Sequence, residues 1–130
     1  DVLHDPAVYY CRPITSRSAD SAVAQIPGIA PGTYDITTCG QHTLMNVRRS
    51  VVVAEPSAVI DMGTLLEGNA FRDDQIDLHD LGVLASSWLT AGTNPNYTEL
   101  ADFDNNGVID LEDILLLASN WLDLSPIELP

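Results

Sequence analysis

Residues 102–113 read Asp-Phe-Asp-Asn-Asn-Gly-Val-Ile-Asp-Leu-Glu-Asp and decide the fold of the C-terminal half of the chain. Oxygen-bearing side chains fall at positions 1, 3, 5, 9 and 12 of this loop, and glycine stands at position 6. A calcium loop needs this spacing, with a glycine at the sharp bend and a carboxylate entering the next helix. We therefore predict Ca²⁺ ligation by the side chains of Asp102, Asp104, Asn106 and Asp113, by Asp110 directly or through water, and by the carbonyl of Val108.

A second copy of the pattern lies 33 residues upstream. The sequence Ile-Asp-Leu-x-Asp-x-x-x-Leu-Ala-Ser-x-Trp-Leu occupies residues 76–89 and again residues 109–122. Apolar residues follow helical spacing in both copies, so each loop should run into an amphipathic helix. Neither helix can bury its apolar stripe alone, so we expect the two helices to pack together, with Trp88 and Trp121 in the core.

The upstream loop, residues 69–80, departs from the calcium pattern. Position 3 is Phe71, which has no side-chain oxygen, and position 6 is Asp74, which takes the left-handed bend less readily than glycine. We predict that calcium binds this loop more weakly than the downstream loop, or not at all. The candidate ligands that remain are Asn69, Asp73, Asp77, Asp80 and the carbonyl of Gln75.

The chain carries a net charge of −14, and its acids are concentrated in the C-terminal half. Between Glu67 and Pro130 there are 13 of the 19 acids and a single base, Arg72. Such a chain is repelled by nucleic acid and by anionic membranes. No apolar run approaches the roughly 18 residues of a membrane span. Acids placed at metal-ligand spacing favour cation binding over a merely solvated acidic surface.

Residues 1–66 are predicted to form a small antiparallel β-sandwich. Short β-prone runs alternate with turn signals, such as the two Pro-Gly pairs between residues 27 and 32. This domain should lead into a loop-helix module at residues 67–124 and a tail at residues 125–130. The predicted strands are residues 7–11, 22–26, 33–39, 42–45, 50–54 and 58–62.

Cys11 and Cys39 are the two cysteines, and both lie in predicted strands. A disulfide between them would imply an oxidising, extracellular setting, which is also where weak calcium loops are common. The alternative is a pair of buried free thiols. We favour the disulfide and an extracellular or cell-surface location.

We expect no enzymatic activity. The acids are accounted for by the metal pattern, and His4, His42 and His79 have no metal spacing among them. No serine or cysteine lies in a nucleophile motif.

Residues 96–98 fit a glycosylation sequon at Asn96, but a motif of three residues arises often by chance.

Residues 67–122 resemble a type I dockerin domain, a duplicated calcium loop-helix module. The resemblance rests on the downstream loop, on Asp at its position 12, and on the helix that starts Asp113-Ile114-x-x-Leu117. It implies docking to a cohesin partner through a helix face and through loop positions 10 and 11. In this sequence those positions hold Leu78 and His79 in the first copy, and Leu111 and Glu112 in the second.

Residues 25–36 are similar to the closing strands of carboxypeptidase-regulatory-like or Cna-B-like sandwiches. In bacterial surface proteins such a sandwich often precedes a dockerin, so the combination implies an extracellular protein-protein interaction module.

An alternative function is a filament subunit. A small sandwich that lacks an opening strand leaves an edge that another chain can fill. The tails at residues 1–6 and 125–130 could supply that strand and build a head-to-tail filament stabilised by calcium. The alternative to strand donation is that both tails are disordered.

Overall fold

The computed structural model of the protein describes residues 17–18, 21–22, 26–54 and 58–130. This part of the chain holds five strands and two helices, a mixture of β and α structure. In chain order they are β1 (Arg17–Ser18), β2 (Ser21–Ala22), β3 (Gly32–Thr38), β4 (Asn46–Val53), α1 (Leu78–Ser86), α2 (Leu111–Ser119) and β5 (Ile127–Glu128).

The main sheet has three strands in the order β3-β4-β5, and β1 pairs with β2 in a separate antiparallel hairpin. β3 and β4 are antiparallel, in a register that runs from Gly32 opposite Val53 to Thr38 opposite Asn46. The register shifts between Tyr34 and Ile36, as at a β-bulge. β3 alternates between partly buried and exposed residues, as the sequence predicted for residues 33–39.

The third strand of the sheet comes from the C-terminal segment, which was expected either to supply a strand to another chain or to be disordered. β5 lies parallel to β4, with Ile127 opposite Asn46. The amide of Ile127 donates to the carbonyl of Met45 at 2.8 Å, and that of Leu129 to Val47 at 2.9 Å. Arg49 adds a two-oxygen contact to Glu128 from the neighbouring strand. The C-terminal segment thus donates hydrogen bonds to the backbone carbonyls of Met45 and Val47 in its own chain.

Two predicted strands do not form. Residues 58–62 are irregular, and their carbonyls are used by side chains of β4: Asn46 Nδ2 donates to Met62, and Arg48 Nε donates to Asp61. Residues 42–45 make a single bridge, between Thr43 and Glu67. The described part therefore contains a three-stranded sheet with one parallel pair, not the predicted antiparallel sandwich. The predicted strand at residues 7–11 lies outside the described residues.

Both predicted helices are present and contact each other. Leu44, from the N-terminal half of the chain, packs in the same buried core as residues of the loop-helix half. The prediction that Trp88 and Trp121 lie in the core is wrong, since each is 38% exposed and follows the last residue of its helix. The core consists of Leu44, Ala70, Ile76, Leu84, Ala101, Phe103, Ile109 and Leu117.

Candidate metal centre

Three carboxylates of the downstream loop converge on one point. One oxygen from each of Asp102, Asp104 and Asp113 lies within 4.8 Å of the other two. Asp102 and Asp113 are buried, with 3% and 0% of their surfaces exposed, whereas Asp104 is exposed. Such a set of hard oxygens can hold a cation that enters from the Asp104 side.

Backbone amides hold these carboxylates in place. Asp113 accepts from the amides of Phe103 at 2.7 Å and Asp110 at 2.9 Å, which ties both ends of the loop to the first turn of α2. Asp102 accepts from Asn106 at 3.0 Å and Gly107 at 2.9 Å. The tight curvature needs a left-handed backbone at Gly107, where φ is 87°.

The electrostatics of the loop favour a bound cation. Burial raises the pKa of Asp113, and the negative charge of Asp104 raises it further. The hydrogen bonds that Asp113 accepts from the backbone amides of Asp110 and Phe103 lower this pKa and so oppose the rise. A hydrogen bond with Asp104 raises the pKa of Glu112. Clustered carboxylates thus disfavour one another's charged form, and a divalent cation would relieve this repulsion.

The other predicted ligands of this loop lie beside the cluster. Asn106 donates from Nδ2 to Asp104 at 2.8 Å and accepts from the amide of Val108. Asp110 caps α2, with its Oδ1 accepting from the amide of Glu112 at 2.9 Å. The structure therefore brings three of the predicted side chains together, with Asn106 adjacent and Asp110 engaged at the helix start.

Tyr97 was missed by the sequence analysis. Its hydroxyl donates to Asp102 Oδ2 at 2.5 Å, and this hydrogen bond raises the pKa of Tyr97 to about 12. The phenol holds one oxygen of the first loop residue, as an outer-shell partner does in a metal site. Its only sequence signal is an aromatic residue five positions before the loop, which has no defined spacing rule.

The upstream loop repeats this framework. Asp80 accepts from the amides of Phe71 and Asp77, both at 2.8 Å, as Asp113 does in the downstream loop. Asn69 accepts from the amide of Asp73, and Asp73 from the amide of Gln75. Asp74 has a φ of 66°, so aspartate takes the left-handed bend that Gly107 takes downstream.

The donors of the upstream loop nevertheless meet at a different place. Here the residues with ligand atoms within 4.8 Å of one another are Asp73, Asp77 and His79, at positions 5, 9 and 11. Asp80 at position 12 is fully buried and is not among them. Phe71 replaces the position-3 carboxylate and stacks on the ring of His79.

The two loop-helix units are joined by a reciprocal pair of bridges. Gln75 at position 7 pairs with Leu124 after α2, and Val108 at position 7 pairs with Ala91 after α1. Leu122 donates to the carbonyl of Ile76 at 2.8 Å, and Leu89 donates to the equivalent residue, Ile109, at 3.0 Å. Each loop is therefore hydrogen-bonded to the segment that follows the helix of the other unit.

The residues predicted to contact a partner lie on the surface. Leu78 is 71% exposed and Leu111 is 61% exposed, and His79 and Glu112 are also exposed. Beyond position 10 the helices differ, because α2 continues with exposed Leu115 where α1 has Gly82. The exposed row on the downstream unit comprises Leu111, Leu115 and Leu122.

Cys39 is exposed and forms no disulfide with another described residue, and Cys11 lies outside the described residues. The predicted disulfide between them stays a prediction. Within the described ranges, no helix has the length and apolar character needed to cross a membrane.

No protein-family model and no curated protein matches this chain. Its fold is similar to that of solved chains from type II cohesin–X-dockerin complexes of Acetivibrio cellulolyticus. In the complex carrying a C-terminal interface mutant, the match has 23% identity and a TM-score of 0.62, and covers 76% of this chain and 68% of that chain. In the complex carrying an N-terminal interface mutant, the values are 24%, 0.57, 75% and 67%.

Proposed function

We propose that this chain is a non-catalytic, extracellular protein-protein interaction module of dockerin type. It binds calcium through the downstream loop and docks to a cohesin-like partner in a cell-surface assembly. The observation that carries the proposal is the meeting of Asp102, Asp104 and Asp113 at the start of a helix with an exposed leucine row. The similarity in fold to chains of cohesin–X-dockerin complexes supports it.

Calcium has a structural role in this proposal. Asp102, Asp104, Asn106, Asp113 and the Val108 carbonyl would hold the ion, with Asp110 directly or through water. A bound ion would tie the loop to the first turn of α2 and thereby fix the direction of the helix. The upstream loop would hold calcium weakly or not at all, because Phe71 removes the oxygen at position 3 and Asn69 replaces the carboxylate at position 1.

Calorimetric titration after chelator treatment tests this ranking of the two loops. Asp104→Asn, in the downstream loop, should remove the tighter calcium-binding event. Asp73→Asn, the control variant in the upstream loop, should leave that event unchanged. Two sites of equal affinity in the unmodified chain, or loss of the tighter event in Asp73→Asn, would refute the assignment.

The docking surface is the exposed face of α2. Leu111 and Leu115 lie one turn apart on α2, and Leu122 follows the end of the helix. All three side chains are exposed, which makes them available to a partner. The corresponding face of α1 is interrupted at Gly82. Exposed apolar side chains in a row form the kind of patch that an apolar groove covers when two proteins associate.

Binding to a panel of purified cohesin modules tests the function. We expect at least one module to bind in calcium and to be released by chelator. Leu115→Asp should abolish that binding, whereas Gly82→Asp, at the matched position of α1, should preserve it. Absence of binding to every cohesin class, or loss of binding in Gly82→Asp alone, would contradict the proposed mode.

The filament alternative is not favoured by the position of the C-terminal segment. A strand donated to a second copy would have to leave β4, with which β5 pairs inside its own chain. The segment at residues 1–6 lies outside the described residues. Negative-stain microscopy of the purified protein distinguishes dispersed particles, expected here, from fibres.

A further inference from the structure

The upstream loop carries a donor set that differs in chemistry from that of the downstream loop. His79 Nδ1 lies 3.1 Å from Asp77 Oδ1 and 3.7 Å from Asp73 Oδ2. Ligands of a tetrahedral Zn²⁺ ion bound at about 2.0–2.1 Å lie roughly 3.4 Å apart. His79 Nδ1 and Asp77 Oδ1 are at hydrogen-bond distance, and Asp77 Oδ1 also accepts the amide of His79 at 2.7 Å. The imidazole nitrogen and one oxygen from each of the two carboxylates lie within 4.8 Å of one another, close enough for one ion to contact all three.

The imidazole ring is held in place from outside the cluster. Phe71 stacks on His79 with ring centroids 5.1 Å apart and planes inclined at 23°. The residue that removes a calcium oxygen from position 3 therefore orients the nitrogen donor at position 11. A ring fixed in this way loses less freedom when it binds an ion, so its affinity should be higher than that of a mobile surface histidine.

Asp80 is fully buried, and both of its oxygens accept backbone amides, as those of Asp113 do in the downstream loop. It is not among the three donors that converge in this loop. The three donors lie instead at the outer end, where the side chain of His79 is 63% exposed. An ion there would complete its coordination with water. Calcium prefers six to eight oxygens, whereas imidazole is a ligand for zinc, copper and nickel.

We propose that the upstream loop is a site for a divalent transition-metal ion of the zinc class, held by Asp73, Asp77 and His79 Nδ1. The chain would then bind two kinds of ion in two related loops, a hard ion in the oxygen-only loop and a borderline ion where histidine replaces oxygen. The change from one to the other lies in two residues, Phe71 in place of an acid and His79 in place of Glu112.

Titration of untagged, full-length protein with Zn²⁺, in calcium that saturates the downstream loop, tests the proposal. We expect one Zn²⁺ ion per chain. His79→Ala should weaken this binding at least about tenfold, since loss of an outer-shell partner alone costs that much in metal sites. Glu112→Ala, the matched exposed position in the downstream loop, should leave Zn²⁺ affinity unchanged.

Co²⁺ supplies a spectroscopic readout that does not depend on heat signals. Its visible absorption should report a nitrogen-containing site of low coordination number in the unmodified chain and be lost in His79→Ala. Far-UV circular dichroism and calcium titration of His79→Ala check that the variant is folded. Zn²⁺ binding that persists in His79→Ala, that is absent from the unmodified protein, or that calcium displaces would overturn the proposal.

Discussion

The hydroxyl of Tyr97 donates to Asp102 Oδ2 across 2.5 Å and so links the segment between the repeats to the first residue of the downstream loop. Asp102 is buried and also accepts from the amides of Asn106 and Gly107. All of these contacts orient its two oxygens before any ion arrives. Tyr97 is therefore a positioning residue for the proposed calcium site.

Tyr97→Phe should weaken calcium binding about tenfold, because the oriented carboxylate loses an outer-shell hydrogen bond. Isothermal titration calorimetry of the chelator-treated protein measures this change. Tyr34→Phe is the matched control, since the Tyr34 hydroxyl donates to the Ala30 carbonyl, outside both loops. Equal affinities for Tyr97→Phe and the unmodified protein would contradict the role assigned to the phenol.

The ionisation of Tyr97 should be visible in an alkaline ultraviolet titration of the calcium-free protein. The hydrogen bond to Asp102 raises the pKa of Tyr97 to about 12 from 10.0. Tyr97→Phe should remove this late step from the titration curve. Asp102→Asn should move the step toward lower pH, because the accepting charge is lost, and an unmoved step would refute the assignment.

Two glycines should respond to alanine in opposite directions. Gly68 has a φ of 126°, and a Cβ there would lie 3.2 Å from the Cα of Leu117, so Gly68→Ala should lower the free energy of unfolding by roughly 1–3 kcal/mol. Gly82 lies inside α1 with open space around it, so Gly82→Ala should raise that free energy by about 0.5–1 kcal/mol. Urea denaturation in saturating calcium measures both, and effects of the same sign would contradict the packing described here.

The β5 strand should contribute to global stability. Ile127 packs against the core and pairs with Asn46, so Ile127→Ala should lower the free energy of unfolding by roughly 1–2 kcal/mol. Leu115→Ala removes an exposed leucine and should change it by less than about 0.5 kcal/mol. Thermal denaturation of the two variants compares them, and equal effects would mean that the C-terminal segment is not part of the folded unit.

The charge cluster that joins the three strands of the main sheet should depend on pH. The amide of Ser50, assisted by Arg49, lowers the pKa of Asp35 below its usual 3.8. A carboxylate with a depressed pKa stabilises the folded chain above its unfolded-state pKa, and this stabilisation is lost as the pH falls through the folded-state pKa.

The stability difference between the unmodified protein and Asp35→Asn should therefore be constant at neutral pH and shrink below about pH 3.8. Denaturant titrations at a series of pH values measure it. Glu99→Gln, a change at an exposed acid outside this cluster, is the reference for general charge effects. A difference between unmodified protein and Asp35→Asn that grows as the pH falls would contradict the assignment.

Local features of the loop-helix half were predictable because they depend on residues close in sequence. The helices follow from the apolar spacing after Asp80 and Asp113, and each begins with the capping contacts that an Asp-x-x-Asp pair can make. The left-handed backbone at Asp74 followed from its equivalence to Gly107. The strand β3 followed from its alternation.

The predictions that were wrong involve partners distant in sequence. Residues 58–62 have strand-like composition, yet their carbonyls are used by Asn46 and Arg48. These residues were expected to form a strand of the sheet. The strand that pairs with β4 on the side away from β3 is instead β5, at Ile127 and Glu128. Strand pairing depends on which edge is free once the rest of the chain is in place, and composition alone does not specify that.

The positions of the two loops and their helices were predictable from the sequence, because loop spacing and helical periodicity are local properties of the chain. Where the donors meet depended on the packing of the two loops. Oxygens of Asp102, Asp104 and Asp113 converge in the downstream loop, whereas in the upstream loop Phe71 stands at position 3 and the donors that converge are Asp73, Asp77 and His79. The physical reason is that a carboxylate's direction is set by the amides and neighbours that surround it, and those come from packing.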